Sequence, residues 1–332
     1  MEVLFSIIIP IYNEEEKLNR TLDHLIFDKY SDYEVILVND GSTDRTGEIC
    51  SDYERKYSFI HVINQNNQGG VIARKNGIIN SLGKYIVFVD ADDLVEQNYL
   101  ELLHNTVKKK ADIYFLNNKI NQPGKLKFKI EKEFISDGYI EKDSAIRWVV
   151  SGMAGAVWDK IYEGTLIKEA IKEMNLDFKY GDDVYINLLC LKYANLIFAK
   201  NISPYLHIRD SKGSICNSLD VSRINEIEKL YIHGRQILEE LNVSEELKKN
   251  FTTVEVSNYS KTIVYFFNNG IDKKKIYDMI DSSMLLNSIS ISYLSSRIGK
   301  IYYKLTKKKQ IKLLVFVCKT RSLFYKICNR AE

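Results

Sequence analysis

Four short apolar runs, each followed by a helical pattern, constrain the fold of this chain most strongly. The runs cover residues 4–9, 34–38, 59–63 and 85–89. The segments between them carry apolar residues at helical spacing, such as Leu18, Leu22 and Leu25. Because strand and helix alternate, we predict an α/β fold, with a mostly parallel sheet flanked by helices on both faces. The loops after the strands then line one edge of the sheet.

Carboxylates are concentrated in the loop after the fourth run. Asp90, Asp92 and Asp93 come directly after a segment that is typical of a strand buried on both faces. Ligands of open α/β sheets bind at the carboxyl ends of the strands, so these acids are expected to face a crevice. Carboxylate oxygens suit Mn²⁺ or Mg²⁺, which usually also bind substrate phosphates. The alternative is an acidic turn and helix N-cap without any ligand.

The other loops indicate a crevice of nucleotide size. Asp40 follows the second strand and can accept a hydrogen bond from a base or a ribose, while Gly41 lets a backbone come close. Arg74 can reach a phosphate or hold the acids in place. For Asp40 and Gly41, a β-turn with an N-cap is the alternative. The chain has no G-x-G-x-x-G after the first strand and no G-x-x-x-x-G-K-[ST], which disfavours a dehydrogenase or a P-loop enzyme.

Five motifs resemble those of one enzyme family, in the family's order and spacing over residues 3–217. They read FSIIIPIYNE, EVILVNDGSTD, NQGGVIARKNGI, GKYIVFVDADD and KYGDDVYIN. In these motifs the chain is similar to the family 2 glycosyltransferases with the GT-A fold, especially bacterial enzymes of capsule and surface-polysaccharide assembly. The family often has Arg-Asn-x-Gly-Ile where this chain has Lys75 after Arg74, which leaves the role of Lys75 open.

The resemblance implies a role for each group of site residues. The nucleotide, usually UDP, would be held by Pro10, Tyr12, Glu14, Asp40 and Arg74. Asp90 and Asp92 match the family's D-x-D, which would contact the ribose and a divalent cation respectively. Asp183 matches the catalytic base, and Asp182 could cap the next helix or orient that base. His207 matches a segment from which some relatives reach the metal or the diphosphate, although it could also be an ordinary hydrogen-bonded histidine.

The acceptor is expected to bind near residues 148–162. In relatives a W-x-K-[IL]-[YF] segment, here beginning at Trp158, lies near the acceptor side. Trp158 could offer an aromatic platform to a sugar, and a buried tryptophan is the alternative. The segment before it, residues 121–142, is rich in Lys and Glu and is expected to form a hairpin or a surface excursion.

The last tenth of the chain differs in charge from the rest. Residues 297–332 contain eleven Lys or Arg and one acid, whereas acids outnumber bases in residues 1–296. Two apolar clusters accompany these bases: Ile298, Ile301, Tyr302 and Leu305, and then residues 313–317 with Leu323, Phe324, Tyr325 and Ile327. This pattern predicts an interfacial helix on an anionic leaflet, and packing of the apolar stripe on the protein is the alternative. No nucleic-acid motif accompanies the charge, so nucleic acid is disfavoured.

The predicted location is the cytoplasm, peripheral on the inner face of the plasma membrane. No N-terminal signal is visible, and no apolar run approaches the roughly 20 residues of a membrane-spanning helix. Five cysteines without paired spacing are typical of a reduced protein.

These observations together predict an inverting, metal-dependent glycosyltransferase of the hexosyltransferase type. Its donor would be a nucleoside-diphosphate sugar, and its acceptor a saccharide, expected to be lipid-linked. The catalytic domain is expected over residues 1–217, with the nucleotide side in 1–117 and the acceptor side in 118–217, followed by a helical region over 218–332. The alternatives are a non-catalytic glycan-binding or scaffold protein with the same fold and, less favoured, a nucleotidyltransferase, which usually has a Gly-rich phosphate loop where this chain has PIYNE.

Overall fold

The computed structural model describes residues 2–27, 29–122, 125–132, 137–174, 181–208 and 220–328. Only the backbone is described for residues 122, 125–132, 182 and 321–328. The chain divides into two compact units. The first contains residues 1–149 and 153–214, and the second contains residues 150–152 and 215–332.

The first unit is built around one large sheet. Its strands are β1 (Phe5–Ile11), β2 (Tyr33–Asp40), β3 (Ile60–Gln65), β4 (Tyr85–Phe88), β5 (Leu94–Val95), β6 (Ile113–Gln122), β7 (Lys125–Lys132), β8 (Gly138–Tyr139), β9 (Lys160–Glu163) and β10 (Ile197–His207). Its helices are α1 (Leu18–Asp23), α2 (Thr46–Lys56), α3 (Gly70–Asn80), α4 (Tyr99–Val107), α5 (Lys142–Val150), α6 (Gly164–Ala170), which continues into a 3-10 turn over Ile171–Glu173, and α7 (Asp182–Tyr193).

The sheet has the order β3-β2-β1-β4-β9-β6-β10-β5, with β7 on β6 and β8 on β10. The strands β1 to β4 pair in parallel, which confirms the predicted α/β alternation. The short strand β9 runs antiparallel between β4 and β6, so the sheet as a whole is mixed. The segment expected to form a hairpin or a surface excursion, residues 121–142, supplies β7, which pairs antiparallel with residues 118–122 of β6 and so forms a hairpin.

Burial on both faces explains why the first strands read as continuous apolar runs. One face of β1 packs Ile7 and Ile9 into a core that includes Leu18 and Leu22 of α1. On the other face, Gly77 of α3 lies so close to Ile8 that an added Cβ would meet Ile8 Cγ2 at 2.4 Å. These contacts hold α1 and α3 against the sheet, and parallel pairing brings the loops that follow β1, β2, β3 and β4 to one edge.

The second unit is helical. It contains α8 (Arg223–Glu240), α9 (Glu245–Asn268), α10 (Lys273–Ser282), α11 (Met284–Ser288), a 3-10 turn over Ile291–Tyr293, α12 (Arg297–Lys307) and α13 (Ile311–Cys328). Its core surrounds the long helix α9, which buries Val256, Tyr259 and Ile263. Within the residues that the structure describes, no helix combines the length and the apolar character that crossing a membrane requires.

The apolar stripe of α12 packs on the protein, which was the alternative to an interfacial helix. Tyr302 and Leu305 are buried in a cluster with Leu314 of α13, and Ile298 packs against the same cluster. Of the four apolar residues predicted to form this face, Ile301 is the exposed one, at 43%. The side chains of Leu323, Phe324, Tyr325 and Ile327 lie outside the described residues.

Candidate active site

Arg74 joins two of the predicted site acids. Its Nη2 atom lies 3.1 Å from Asp90 Oδ1 and 3.7 Å from Asp183 Oδ1. Arg74 extends from the first turns of α3, Asp90 follows β4, and Asp183 lies in the first turn of α7. Residues from the predicted nucleotide side and the predicted catalytic position therefore meet at one guanidinium.

The loops after β1 and β2 are tied together at the same edge. Asn13 adopts a positive φ of 54°, and its Oδ1 accepts a 2.8 Å hydrogen bond from the Thr43 amide. The Glu14 amide donates to Thr46 Oγ1 over 2.8 Å. Pro10 lies at the end of β1 opposite Val38, and the next predicted residue, Tyr12, is 47% exposed. An exposed aromatic ring on a fixed loop is available for stacking on a base.

Asp40 organises the loop that leads into α3. Its Oδ1 atom accepts hydrogen bonds of 2.8 Å from Gln65 Nε2 and the Gln68 amide, and its Oδ2 accepts one of 2.8 Å from the Gly69 amide. The side chain is buried. These contacts give Asp40 a structural part that the sequence did not indicate, and they place Gly69, with a φ of 90°, at the start of the Arg74 helix.

Asp93 was expected to face the crevice with Asp90 and Asp92, but that prediction is wrong, because Asp93 is the most enclosed of the three acids after β4. It is 1% exposed and accepts three hydrogen bonds, from the Tyr205 hydroxyl at 2.7 Å, His207 Nδ1 at 3.0 Å and the Ile208 amide at 2.7 Å. The Asp90 amide donates to the same Tyr205 hydroxyl over 3.1 Å. One sequence signal could have indicated this arrangement: Tyr205 and His207 alternate along a strand, so their side chains lie on the same face. Asp93 thus anchors β10 to the acidic loop and orients the His207 ring.

Asp92 is the acid that remains accessible to a cation. Its side chain is 38% exposed, and Oδ2 lies 3.4 Å from the ammonium group of Lys17. The described residues contain no group of three or more His, Cys, Asp or Glu side chains arranged around a common metal position. Mg²⁺ and similar ions often bind one or two carboxylates together with substrate phosphates. An accessible carboxylate such as that of Asp92 fits an ion that takes most of its other ligands from the substrate and from water.

Burial raises the pKa values of three acids at this edge, Asp90, Asp92 and Glu14. Burial raises the pKa of Asp90 to about 6, against the opposing effect of the Arg74 guanidinium and with a contribution from Asp93 and Asp92. The pKa of Asp92 and the pKa of Glu14 are also raised, mainly by burial, and Lys17 opposes both shifts. Because burial disfavours the charged forms of these three acids, a bound cation would stabilise them, and the site therefore favours cations.

The Trp158 ring stacks on the rings of Tyr205 and His207. Its ring lies 4.5 Å from that of Tyr205 at an interplanar angle of 11°, and 5.4 Å from that of His207 at 17°. The Trp158 side chain is half-buried, which lies between the predicted sugar platform and the alternative of a buried tryptophan. The stack connects the predicted acceptor segment with the strand that carries His207.

Two buried side chains hold the loop that precedes Trp158. Lys160 is 1% exposed, and its ammonium donates to Ala154 O over 2.9 Å and to Asp159 Oδ1 over 2.6 Å. Asn187, one turn after Asp183 in α7, donates to the Gly155 carbonyl over 2.8 Å. The loop is therefore fixed to the helix that carries Asp183.

The predicted capping role of Asp182 does not match the helix boundary. The helix α7 begins at Asp182, so Gly181, with a left-handed φ of 81°, occupies the N-cap position. The Asp182 side chain itself lies outside the described residues, as do residues 209–219.

Comparison with known proteins identifies relatives of this chain. A model of glycosyl transferase family 2 matches residues 6–158. Glycosyltransferase GlyA of Streptococcus pneumoniae serotype 4 (strain ATCC BAA-334 / TIGR4) is 33% identical over 221 residues, which make up 63% of this chain and 31% of GlyA. Glycosyltransferase GlyG of the same strain is 29% identical over 245 residues, or 70% of this chain and 79% of GlyG. The chain thus spans less than a third of GlyA and most of GlyG.

A solved structure extends the likeness over nearly the whole fold. The crystal structure of S. aureus TarS 1-349 in complex with UDP-GlcNAc superposes with a TM-score of 0.73 at 17% identity, covering 96% of this chain and 92% of TarS 1-349. The sheet with its polar edge is thus of the GT-A type, and the relatives of the chain in sequence are glycosyltransferases. The chain is similar to glycosyl transferase family 2 over residues 6–158, which include the loops after β1 to β4, whereas Asp183 and His207 lie beyond the matched residues.

Proposed function

We propose that this protein transfers a hexose from a nucleoside-diphosphate sugar, with UDP as the nucleotide, to a saccharide hydroxyl. The observation that carries the proposal is the position of Arg74 between Asp90 and Asp183. The Arg74 guanidinium holds Asp90, at the edge of the sheet where a nucleotide would bind, next to Asp183, the candidate catalytic base. The UDP-GlcNAc in the similarly folded TarS structure supports a UDP-sugar as the donor.

In the proposed reaction, the Asp183 carboxylate accepts the proton of the attacking acceptor hydroxyl. The acceptor oxygen forms a bond to the anomeric carbon from the side opposite the diphosphate. The bond between that carbon and the diphosphate oxygen breaks, so the anomeric configuration is inverted and the nucleoside diphosphate leaves. A bound Mn²⁺ or Mg²⁺ would neutralise charge on the leaving diphosphate, and Asp92, with His207 as a further candidate ligand, would hold it. The cation requirement belongs to the proposal.

The surrounding side chains fit the two substrates. Tyr12 provides an exposed ring for the base, and Asp90 provides a carboxylate for the ribose. Trp158 provides part of an aromatic stack next to His207, where an apolar sugar face could rest. Arg74 contributes a fixed positive charge, which steadies Asp90 and Asp183 and lies within reach of phosphate oxygens.

The decisive experiment is a donor screen on wild type, Asp183→Asn and Asp92→Ala. UDP-, GDP- and dTDP-sugars are tested for binding and hydrolysis, with and without Mn²⁺. We expect one donor to bind and to be hydrolysed with metal, Asp183→Asn to keep UDP binding but lose turnover of the donor, and Asp92→Ala to lose the metal effect. The exposed Asp52, which lies in α2, supplies the control Asp52→Asn. If no sugar nucleotide binds under any condition, a non-catalytic glycan-binding or scaffold role takes the place of catalysis.

We also propose that the acceptor is lipid-linked and that the C-terminal region docks on the anionic inner face of the plasma membrane, as suits synthesis of a capsule or another surface polysaccharide. The support comes from α13, where Leu313 is 49% and Phe316 is 62% exposed. The exposed Lys312 and Lys319 lie beside them, so apolar and basic groups share one face.

Vesicle sedimentation tests this docking. Wild type should bind vesicles that contain phosphatidylglycerol and lose binding at high salt, while purely zwitterionic vesicles should bind far less. A Leu313→Ser, Phe316→Ser double variant should lose binding to the anionic vesicles, whereas Ile301→Ser, which removes an exposed apolar side chain from α12, should not. Equal binding of the double variant and wild type would rule out this face.

A further inference from the structure

Helix α1 is fastened to the acidic loop that follows β4. Thr21 Oγ1 lies 2.9 Å from the Ala91 carbonyl oxygen and 2.9 Å from that of Asp93. Arg20 Nη2 lies 3.4 Å from the carbonyl oxygen of Asp92. Side chains of α1 thus contact three consecutive carbonyls of the loop, and Thr21 is buried in doing so. A residue at the start of α1 is therefore held at a defined position relative to the acids.

Lys17, which directly precedes α1, directs its ammonium group to two of those acids. The Nζ atom lies 3.4 Å from Asp92 Oδ2 and 3.7 Å from Glu14 Oε2. All three side chains are partly buried, with exposed fractions of 23% for Lys17, 26% for Glu14 and 38% for Asp92. The ammonium therefore compensates two acids that burial disfavours in their charged forms.

We propose that Lys17 is a resident counter-ion that competes with the divalent cation for Asp92. This inference rests on the proposed use of a divalent cation at that carboxylate. An ammonium group and a metal ion cannot both lie against the same carboxylate oxygen, because their positive charges repel at that distance. When the metal binds, Lys17 leaves Asp92 and pairs with Glu14, which it already approaches.

The competition makes cation binding depend on the nucleotide. A metal alone has to displace Lys17 while gaining little more than one protein carboxylate. A metal that also binds the diphosphate gains further oxygen ligands, and these outweigh the ammonium. Lys17 therefore neutralises the charge of Asp92 and Glu14 while the site contains no donor. A metal that binds together with the nucleotide can displace Lys17 from Asp92, whereas a metal alone binds weakly. In thermodynamic terms, Lys17 increases the coupling free energy between metal and UDP.

The test is Mn²⁺ binding, measured by electron paramagnetic resonance of the free ion, on Lys17→Met and Arg20→Met. Arg20→Met is the matched control, because it removes one positive charge next to the same loop while its contact is with the backbone of Asp92 rather than the carboxylate. Without UDP, Lys17→Met should bind Mn²⁺ about threefold to tenfold more tightly than wild type, as expected for removal of one partly buried ion pair. Arg20→Met should change the affinity by less than about twofold, because screened charges without direct contact couple weakly.

Measurement with UDP separates this inference from the proposed function. UDP should tighten Mn²⁺ binding more in wild type than in Lys17→Met. If wild type with UDP binds Mn²⁺ but the two variants behave alike, or if Lys17→Met binds the ion more weakly, the counter-ion role is wrong and the metal site stands. If neither wild type nor Lys17→Met binds Mn²⁺ with UDP present, the proposed metal use fails, and the inference fails with it. Thermal melts confirm folding, and Lys17→Gln repeats the test if the Met variant does not fold.

Discussion

The Tyr205 hydroxyl donates a 2.7 Å hydrogen bond to Asp93 Oδ2, and the two residues connect β10 to the loop after β4. Both side chains are 1% exposed. The same hydroxyl accepts a hydrogen bond from the Asp90 amide, so one oxygen atom connects the backbone of Asp90 with the side chain of Asp93. A buried carboxylate with three donors has a fixed geometry, and that geometry is passed on to His207 and to the backbone of the acidic loop.

We expect Tyr205→Phe to weaken nucleotide binding as well as the fold. The change leaves buried Asp93 with one donor fewer, which should cost about 1–3 kcal/mol of unfolding free energy. Loss of the loop anchor should also weaken UDP binding in the presence of Mn²⁺ by about tenfold, measured by calorimetry. Tyr162→Phe is the control, because it removes another buried hydroxyl, which donates to Asn187 Oδ1 over 2.7 Å. Equal losses of UDP affinity in both variants would show that the effect is one of stability alone.

Arg74→Lys tests whether the guanidinium has to serve two acids. Lysine keeps the charge but lacks the planar fork, so it cannot contact Asp90 and Asp183 with the same geometry. We expect kcat/KM for transfer to fall by about tenfold to a hundredfold, with the protein still folded. Lys75→Asn, the adjacent change toward the more usual family pattern, should alter kcat/KM by less than about threefold, since most surface changes have small effects. A fully active Arg74→Lys enzyme would contradict the dual contact.

The sequence predicted the parts of the fold that are coded locally. The runs that became β1 to β4 are apolar because they are buried on both faces, and parallel pairing then placed Asp40 and Asp90 at one edge. The antiparallel strand β9 was not predicted, because only four residues pair there and their partners are distant in the chain. The support of His207 by Asp93 was missed for the same reason, since residues that are far apart in sequence make it.

The contact between Lys17 and Asp92 shows a second limit of sequence patterns. Lys17 lies in the run Glu14-Glu15-Glu16-Lys17, which by itself is typical of a solvated charged turn. The direction of the Lys17 side chain is set by the docking of Thr21 on the acidic loop. That contact joins residues that are 70 positions apart in the chain. Charge patterns therefore indicated which groups were available, whereas tertiary packing decided which acid each base contacts.

Gly77→Ala should destabilise the protein although alanine favours helices. The added Cβ would meet Ile8 Cγ2 at 2.4 Å, in a fully buried contact between α3 and β1. Overpacking of this kind costs about 1–3 kcal/mol and outweighs the roughly 1 kcal/mol that alanine gains over glycine in a helix. Gly138→Ala is the control, because no atom lies within 4 Å of the position of its added Cβ. Urea denaturation should show a lower midpoint for Gly77→Ala alone, and similar midpoints for both variants would contradict the close contact.

Glu255, in the middle of α9, should make stability depend on pH. The residue is 2% exposed, and its Oε2 atom has no hydrogen-bond partner among the residues that the structure describes. Burial raises the pKa of this carboxyl from 4.5 to about 8, and Asn258 opposes the shift. Because the folded protein holds this proton more tightly than the unfolded chain, its contribution is fully present below pH 4.5 and is lost as the pH rises to about 8.

Glu255→Gln removes this titration while keeping the shape of the side chain. The unfolding free energy of the variant minus that of wild type should therefore increase steadily from pH 5 to pH 8 and level off above it. Urea denaturation at fixed ionic strength measures both proteins at each pH, and the difference cancels the effects of all other titrating groups. Glu246→Gln, an exposed change near the start of the same helix, controls for the loss of one negative charge. A difference for Glu255→Gln that stays flat from pH 5 to pH 9 would mean that the carboxyl is already ionised in the folded protein, as only a solvated or ion-paired side chain could be.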